Sequence, residues 1–349
     1  MTVTPRWCHD GARASQRSCR EGVWPTDTRP VSVRSLSGPA ELDTFRQLSY
    51  VHDHELAGDL EQGRRRPEWL WVAERGNRVM ARLAWWTSSE GGPPMALDFF
   101  DLDDTLADPE RTDIGLQLVE TATAAVIPAD TNRPEYGRFV PPGWRQDAEA
   151  RRIVEGRMGV MERTGARLLV ERLRLEWLPG TSIPERTGRL RFRPARDRDE
   201  LIRLMTLVLD DTLDAHSRRD LETMTPSDVA TAQYEEEFLA YRTPREWWTI
   251  ADDPTGDPVG FVIPARNSYH PIIAYIGVVP AHRGHGYVDE ILAEGTRILA
   301  ANDVPRIRAS TDVGNVPMAK AFARLGYVNF ESAINMVWDQ ATKGSSATQ

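Results

Sequence analysis

Cysteine and lysine are almost absent from this chain of 349 residues. The two cysteines, Cys8 and Cys19, lie in a polar segment at the beginning, so no disulfide framework and no cysteine-rich zinc site is expected. Lys320 and Lys343 are the only lysines among 43 basic residues, and arginine supplies the rest. Such a bias is typical of a GC-rich coding sequence and indicates no particular function.

Long hydrophobic runs and positive net charge are also lacking. The longest strongly apolar run, 272–279 (IIAYIGVV), is far shorter than the ~20 residues that span a bilayer. The first 22 residues have no apolar core of the signal-peptide type. A formal charge of −9 argues against general nucleic-acid binding. We therefore expect a soluble cytoplasmic protein, monomeric or homodimeric, with no membrane or nucleic-acid partner.

No metal centre is expected. His52 and His54 stand close together in YVHDH, but the sequence offers no third ligand beside them.

Two halves of the sequence repeat the same order of patterns. Residues 31–42 (VSVRSLSGPAEL) align without a gap with residues 190–201 (LRFRPARDRDEL), and each reads as a strand, a turn and a helix start. Matching hairpin and strand patterns then begin at Glu68 and Glu246, and at Pro94 and Pro271. Their common order indicates an internal duplication.

The duplication predicts an α/β, layered α+β fold made of two tandem units. Each unit is expected to contain a mixed, mostly antiparallel sheet flanked by helices, and to end in a pair of strands. We place a flexible leader at 1–29, the first unit at 30–180, the second at 188–340 and a flexible tail at 341–349. A linker rich in proline and glycine joins the units.

The most informative stretch is IGVVPAHRGHGYVDE, at 276–290. An apolar strand pattern ends at Pro280, and Gly284 and Gly286 precede a helical pattern. Backbone N–H groups at a helix start lack internal partners, and glycine lets an anion approach them closely. Arg283 can add a charge-assisted bond. The stretch lacks both the GxxxxGK[ST] and the GxGxxG patterns of nucleotide-binding loops.

This stretch resembles motif A of the GNAT N-acetyltransferase superfamily, V-x-P-x-x-R-G-x-G-x-G/A. Val278, Pro280, Arg283, Gly284 and Gly286 all match. Downstream, NVPMAKAFARLGY resembles the second family signature, in which the matching positions are Asn315, Gly326 and Tyr327.

The resemblance implies that acetyl-CoA, or another acyl-CoA, is the co-substrate, with no metal. Its pyrophosphate would lie at the glycine-rich turn, and its pantetheine beside the strand ending at Val278 and Val279. That strand and the next, around 306–310, would splay apart to admit the thioester. An N–H near Val278 would stabilise the oxyanion. The cofactor-binding residues implied are Val278, Val279, Arg283, Gly284, His285, Gly286, Tyr287, Val288, Asn315 and Phe322.

The sequence departs from the family pattern at three positions. Val288 replaces the last small residue of motif A. Ile272 stands where many relatives carry a glutamate base, and Phe322 stands where they carry a tyrosine acid. Phe322 is interpreted as a core or cofactor-packing aromatic. Neither usual proton-transfer group is present.

Four other residues are candidates for catalysis. His270 shares strand parity with Ile272, although a position in a turn is the alternative. Asp312 follows a strand near the cleft, and the alternative is a cap for the next helix. Tyr275 would lie on the opposite face of the strand from Ile272, unless a bulge near Gly277 turns it to the same face. Asp214, with His216, would lie at the mouth of the acceptor pocket and attract a cationic amine, or would lie on a solvated helix face.

The first unit is expected to have lost its cofactor site. Four aspartates between residues 101 and 108 occupy the place of the anion-binding turn and would repel phosphate. Its equivalents of Asn315 and Phe322 are Val154 and Met161. Tryptophans of the first unit are expected to pack between the units; they are Trp69, Trp71, Trp85 and Trp86.

These observations predict an acyl-CoA-dependent N-acyltransferase that acetylates the amine of a small molecule by direct attack. One alternative is a transferase of the same fold that takes its acyl group from aminoacyl-tRNA, with the leader and GRRRP (63–67) contacting phosphate. Another is an acyl-CoA sensor without catalysis, which the missing glutamate and tyrosine would suit.

Overall fold

A mixed twelve-stranded sheet organises residues 29–339, the part of the chain that this computed structural model describes. Cys8, Cys19 and almost all of the predicted leader and tail lie outside the described residues. Within 29–339, no helix is both long and apolar enough to cross a membrane.

The two halves contain nearly the same succession of elements, except that two helices follow the first strand of the first half and three follow that of the second, and this confirms the predicted fold class. In the first half, the strands are β1 (Ser32–Ser35), β2 (Leu70–Arg75), β3 (Arg78–Trp86), β4 (Ala96–Leu102), β5 (Glu135–Val140) and β6 (Ala166–Trp177), and the helices are α1 (Leu42–Phe45), α2 (Leu56–Glu61), α3 (Glu110–Val126) and α4 (Ala148–Arg163). In the second half, the strands are β7 (Arg191–Pro194), β8 (Thr249–Asp252), β9 (Pro258–Arg266), β10 (Pro271–Val278), β11 (Ile307–Asp312) and β12 (Val328–Trp338), and the helices are α5 (Arg198–Val208), α6 (Ala215–Asp220), α7 (Pro226–Glu236), α8 (Tyr287–Ala300) and α9 (Val316–Arg324).

An arginine network recurs in both halves at aligned positions. Arg34 on β1 contacts Glu41 at 3.0 Å and Glu74 on β2 at 2.8 Å. The same positions of the second half are held by Arg193, Glu200 and Asp252, with contacts of 2.9 and 2.6 Å. The glutamate also accepts a bond from a backbone amide four residues earlier in both halves. Shared side-chain networks at aligned positions support the duplication beyond the order of elements.

The halves exchange their last strands. The strand order is β1-β2-β3-β4-β5-β12-β6-β11-β10-β9-β8-β7, so β12 pairs with β5 of the first half and β6 pairs with β11 of the second. β6 and β12 also pair with each other, from Glu176↔Val328 to Ala166↔Trp338. Each half therefore ends in one long strand and not in the predicted strand pair. The predicted boundaries of the two units divide the sequence and stay a prediction.

Helices cover both faces of the second half. α8 and α9 pack on one face around Ile291, Leu292 and Phe322, whereas α5 and α7 pack on the other around Met205 and Phe238. α8 lies very close to the sheet, because a Cβ on Gly295 would be only 2.6 Å from Val262.

Most of the first-half tryptophans do not pack between the units, contrary to the sequence prediction. Trp69, Trp71 and Trp85 belong to the core of the first half. Trp86 does reach the second half, where its indole N–H donates to the Tyr269 hydroxyl at 2.8 Å.

Cutting the linker should not separate the halves. A protease site inserted between the exposed residues Pro179 and Gly180 breaks the chain but leaves the β5–β12–β6–β11 hydrogen bonds intact. We expect the two fragments to co-elute on size exclusion and to separate only in denaturant. Separation under native conditions would contradict the strand exchange.

Candidate active site

β10 and β11 diverge, as expected from the sequence. These parallel strands are paired at a single position, Ile272↔Arg308, and then separate. A bulge between Ile273 and Tyr275 in the pairing with β9 places Tyr275 on the same face as Ile272, where both pack towards α5 and α7. The predicted bulge therefore exists, at Ala274 rather than near Gly277. Tyr275 consequently lies on the side of the sheet that α5 and α7 cover.

The glycine-rich turn at the end of β10 is open. Gly284 and Gly286 have φ of +81° and +75°, and no atom lies within 4 Å of a Cβ built on either residue. Gly286 immediately precedes α8. Within the described chain, no backbone carbonyl accepts a hydrogen bond from the amides of Gly284, His285 or Gly286. Unpaired amides at a helix start with no side chain above them are suited to binding an anion.

Arg283 does not point into this turn. Its guanidinium donates to the carbonyl oxygens of Val278 (3.2 Å), Asp210 (2.7 Å) and Val208 (2.9 Å). The side chain thus ties the end of β10 to the end of α5. Carbonyl oxygens accept from three of its five N–H groups, which gives Arg283 a positioning role, and its contact with the cofactor stays a prediction.

One side of the β10 backbone pairs with β9, and the other side faces the cleft between β10 and β11. The Val279 amide donates to Val259 O at 2.8 Å, so the predicted bond from this amide to pantetheine is not available. Because neighbouring residues in a strand point their backbone groups to opposite sides, the Val278 amide faces β11. Val278 is therefore the residue of this pair that can donate into the cleft.

The remaining residues of the turn form one surface. Tyr287 lies 5.9 Å from the His285 ring, and the Arg189 guanidinium is 5.0 Å from the Tyr287 centroid. Arg189 also donates to His285 O at 3.2 Å. Val288 is half-buried against the core beneath α8. The linker residue Arg189 thus closes one side of the anion-binding turn.

A cavity of about 330 Å³ adjoins Gly286. Arg186 and Arg189 of the linker and Arg324 of α9 line it. Each of these arginines is paired with an acid of α8, at 2.6–2.7 Å. The cavity lies next to the open turn, and apolar side chains such as Phe192 and Leu325 complete its lining.

Two residues of the second signature have structural roles. The Asn315 side chain caps α9 by accepting from the Met318 amide at 3.3 Å. Phe322 is 1% exposed and packs against Tyr327, with centroids 5.0 Å apart. Phe322 therefore has the core role that the sequence suggested, and neither residue extends a free polar group into the cleft.

An acidic cluster lies at the end of β11, at the acceptor side of the cleft. The Asp312 carboxylate accepts from the Ala215 amide at 2.7 Å and lies 3.1 Å from Arg172 Nε. Asp312 therefore caps α6 and not the helix after Asn315, contrary to the sequence-based alternative. Burial, and then the charge of Asp214, raise the pKa of Asp312.

Asp214 also caps α6, through a bond from the Ser217 amide at 2.8 Å. Its second oxygen is 3.7 Å from Arg172. Burial disfavours its charged form, but Arg172 and the Ser217 amide outweigh burial and lower its pKa. Asp214 is thus a stable anion at the mouth of the cleft and a weak base.

Tyr275 lies above these acids. Its ring packs 5.3 Å from Phe261 and 5.9 Å from Phe238. Burial raises the pKa of its hydroxyl, and the charges of Asp214 and Glu237 add to that effect. Tyr275 therefore stays a neutral donor at the acceptor side.

His270 lies in the turn before β10, as the alternative reading proposed. Its amide donates to the Asn267 side chain at 2.7 Å. Burial and then the charge of Arg308 lower its pKa to about 4. The ring is therefore neutral above pH about 5 and lies in a positive local field.

His216 joins the two halves. Its Nε2 lies 3.0 Å from the Glu135 carboxylate at the start of β5. Burial disfavours the imidazolium, but the hydrogen bond and charge of Glu135 outweigh it and raise the pKa of His216.

This contact should make stability depend on pH. Because the folded-state pKa exceeds the ordinary 6.5, the contact stabilises the protein fully below pH 6.5 and is lost as the pH rises through the raised pKa. Glu135→Gln should return the His216 pKa, measured by NMR titration, to or below its ordinary value. An unchanged pKa in Glu135→Gln would refute the assignment.

The corresponding cleft of the first half is filled by charged side chains. β4 and β5 also diverge after pairing at Ala96↔Glu135 and Leu97↔Tyr136. Arg138 then donates to Phe100 O and to Asp101, both at 2.9 Å. The other guanidiniums around Asp101 belong to Arg82 and Arg157.

The sequence suggested that the aspartates of the first half form a bare surface that repels phosphate. In the structure these aspartates are paired with arginines. In the first half, an arginine donates to the strand carbonyl at the place where pantetheine would lie beside the strand. This half therefore has no open cleft. Val154 and Met161 are buried in its core.

No group of three or more metal-ligating side chains occurs between residues 29 and 339. His52 instead contacts Glu55 at 3.0 Å, and its ring lies 4.6 Å from the Phe139 ring at a tilt of 54°.

Comparisons with known proteins agree with this architecture. The family model described as Acetyltransferase (GNAT) domain matches residues 189–328. Solved structures include a GCN5-related N-acetyltransferase from Sphaerobacter thermophilus, with 13% identity, a TM-score of 0.55, and coverage of 90% of this chain and 97% of that one. A fungal GCN5-related glucosamine N-acetyltransferase region shows 14% identity and a TM-score of 0.51, over 88% of this chain and 38% of that one.

A tandem GNAT protein from the clavulanic acid biosynthesis pathway shows 15% identity and a TM-score of 0.48, over 89% of this chain and 98% of that one. A search of curated proteins found no match. Residues 189–328 match the GNAT acetyltransferase domain model, and the chain shares its overall fold with the GCN5-related structures. Its two halves follow one another along the chain, as the sequence predicted.

Proposed function

We propose that the second half transfers an acetyl group from acetyl-CoA to the amine of a small molecule by direct attack. The observation that carries the proposal is the open turn at Gly284–Gly286, at the start of α8 and beside the divergence of β10 and β11. It lies within the GNAT acetyltransferase domain.

The residues present fit acetyl-CoA. The amides of Gly284, His285 and Gly286 would hold the pyrophosphate, and the cavity beside Gly286 has room for part of the nucleotide. The Val278 amide faces the cleft and would bond the carbonyl of the thioester or of pantetheine. Bound there, acetyl-CoA supplies an activated acyl group.

The acceptor side selects a cationic amine. Asp214 and Glu237 carry negative charge near the Tyr275 hydroxyl, so an ammonium ion is favoured at this place. Neither Asp214 nor Asp312 is placed as a free base, because both cap α6 and both contact Arg172. We infer that the proton of the ammonium ion leaves to water and that positioning supplies most of the rate.

The tRNA-dependent alternative loses the support of the GRRRP stretch, whereas the leader lies outside the described residues. In the GRRRP stretch, Arg64 and Arg65 are buried and paired with Asp59. Arg65 also contacts Asp98, and Arg66 lies 4.4 Å from the Trp69 ring. These side chains stabilise the first half and do not form a phosphate-binding surface.

The pH dependence of turnover tests the proposal against the sensor alternative. Without an enzymatic base, turnover should rise with pH towards the pKa of the amine, with no lower limb set by the protein. Free-thiol release from acetyl-CoA, over a panel of primary amines from pH 6 to 10, measures this. If acetyl-CoA binds but no amine gives thiol release at any pH, the protein is a sensor and the proposal fails.

A further inference from the structure

The face of the central sheet opposite α8 and α9 carries two arginines beside the cleft. Arg174 on β6 and Arg308 on β11 lie on this face as diagonal neighbours, since the strands pair at Arg308↔Glu176 and Ser310↔Arg174. Arg308 is also the residue that pairs with Ile272 at the closed end of the divergence. The exchange of β6 between the halves is what brings Arg174 to the active site.

Aromatic rings hold both guanidiniums without using their N–H groups. Arg308 lies 3.6 Å from the Phe330 centroid, and Arg174 lies 4.2 Å from the Phe139 centroid. Such stacking fixes the plane of a guanidinium and leaves its N–H edge free for a carboxylate or phosphate.

The hydrogen-bonding capacity of both arginines is unmet. The Arg308 Nε is buried without a hydrogen-bond partner, and its Nη2 shares the Glu176 carboxylate with Arg306, at 3.3 Å each. Among the described residues, the Arg174 guanidinium makes no hydrogen bond, and the nearest carboxylate contact is Glu331 at 3.9 Å. Half-buried donors without acceptors are costly, and an anionic ligand would satisfy them.

Charged groups of both signs surround this pair. The other basic groups that face it are Arg306, His270 and His52, and the acids are Glu55, Glu176 and Glu331. Burial lowers the pKa values of both arginines in spite of these acids. Burial also raises the pKa of Glu331, which weakens its charge. The arginines also act on His270. Burial and then the positive charge of Arg308 lower the pKa of His270 to about 4.

The acidic cluster lies at the other end of β11. Asp312 is four residues beyond Arg308 on β11, which corresponds to about 13 Å at ~3.3 Å per residue. Along this face of the sheet, Asp312 thus lies at one end of β11 and Arg308 towards the other, and Arg174 lies between them, opposite Ser310.

We propose that the acceptor is an amine that also carries an anionic group, a carboxylate or a phosphate, and that Arg174 and Arg308 bind that group. This inference rests on the proposed acetyl transfer. Asp214 attracts the ammonium end, and the arginine pair holds the other end, so the amine is placed across the cleft. The distance along β11 from Asp312 to Arg308 limits the separation of the ammonium and anionic groups of the acceptor to about 13 Å.

The sequence contains a signal for this pair. In RLRLEW (172–177), charged and apolar residues alternate with the period of a strand, as they do from Arg306 to Ser310. Alternation shows that one face of each strand is charged, but only the strand exchange shows that the two charged faces are neighbours.

Matched acceptors test the proposal by thiol release from acetyl-CoA. The wild type should show kcat/KM at least about 10-fold higher for 6-aminohexanoate than for 6-aminohexanamide, or for 3-aminopropyl phosphate than for propylamine, as one charge-assisted contact allows. The pair that shows the preference identifies carboxylate or phosphate. Arg174→Gln and Arg308→Gln should each bring the ratio of kcat/KM for the charged acceptor to kcat/KM for its neutral counterpart close to 1, whatever the absolute rate of each variant. Arg167→Gln, an exposed position on the same strand, should retain the preference.

A binding measurement separates this proposal from the proposed activity. Glutarate and inorganic phosphate, titrated separately, should raise the His270 pKa in the wild type by NMR, because an anion at Arg308 offsets the positive field. Arg174→Gln should reduce that shift. An His270 pKa that neither anion changes would overturn the anion site, whether or not acetyl transfer occurs. Equal rates for charged and neutral acceptors in an active enzyme would also overturn it. A shifted His270 pKa without thiol release would instead refute the proposed transfer alone.

Discussion

Gly286→Asp should lower the affinity for acetyl-CoA about 100-fold, or ~2.7 kcal/mol. The new carboxylate would stand in the open space above the unpaired amides of the turn, where it would occupy and repel the place of a pyrophosphate. Isothermal titration calorimetry with acetyl-CoA measures the change, and circular dichroism checks the fold.

Gly91→Asp is the matched control. Gly91 has φ of +77° and, like Gly286, has no atom within 4 Å of a Cβ, so both variants carry similar backbone strain of about 1 kcal/mol. Gly91 lies in the first half, in the turn between β3 and β4, and its variant should bind acetyl-CoA as the wild type does. Equal affinity in the two variants would remove the basis for placing the pyrophosphate at the turn.

Asp101→Ala should destabilise the protein by about 3–5 kcal/mol, the usual result of removing one partner from a buried ion pair. Asp101 is 1% exposed and holds Arg82, which is fully buried, and Arg138, each at 2.9 Å. Without the carboxylate, Arg138 keeps its charge in the interior without a carboxylate partner among residues 29–339, and Arg82 keeps only Asp53, at 2.8 Å. Urea denaturation followed by tryptophan fluorescence measures the loss.

Asp113→Ala provides the comparison for this loss. Asp113 lies on α3, its side chain is 64% exposed, and it contacts Arg163 at 3.9 Å. A change within about 1 kcal/mol is expected for such a surface pair. If Asp101→Ala were no more destabilising than Asp113→Ala, charged side chains would not be what fills the cleft of the first half.

Local patterns were sufficient to predict the fold class and the anion-binding turn. The helix start, the glycine positions and the apolar strand before them are all encoded within a few residues of Gly286. The duplication was visible because residues such as Arg34 and Arg193 align without a gap. The structure shows that these aligned arginines keep equivalent partners.

The sequence-based predictions failed where a side chain's partner lies far along the chain. Asp312 caps a helix that begins 97 residues earlier, at Ala215. Arg283 fits its family motif, but its guanidinium reaches carbonyl groups of α5 and the residues after it, 73 and 75 positions away. The exchange of β6 and β12 has no local signature, because a strand edge accepts any partner of suitable register.

The stoichiometry of acetyl-CoA binding tests the central claim most directly. Calorimetric titration of the wild-type protein should give one binding site per chain, located in the second half and removed by Gly286→Asp. A stoichiometry of two would mean that the first half also binds the co-substrate, although arginines fill its cleft. No binding, or one site that Gly286→Asp leaves intact, would contradict the account.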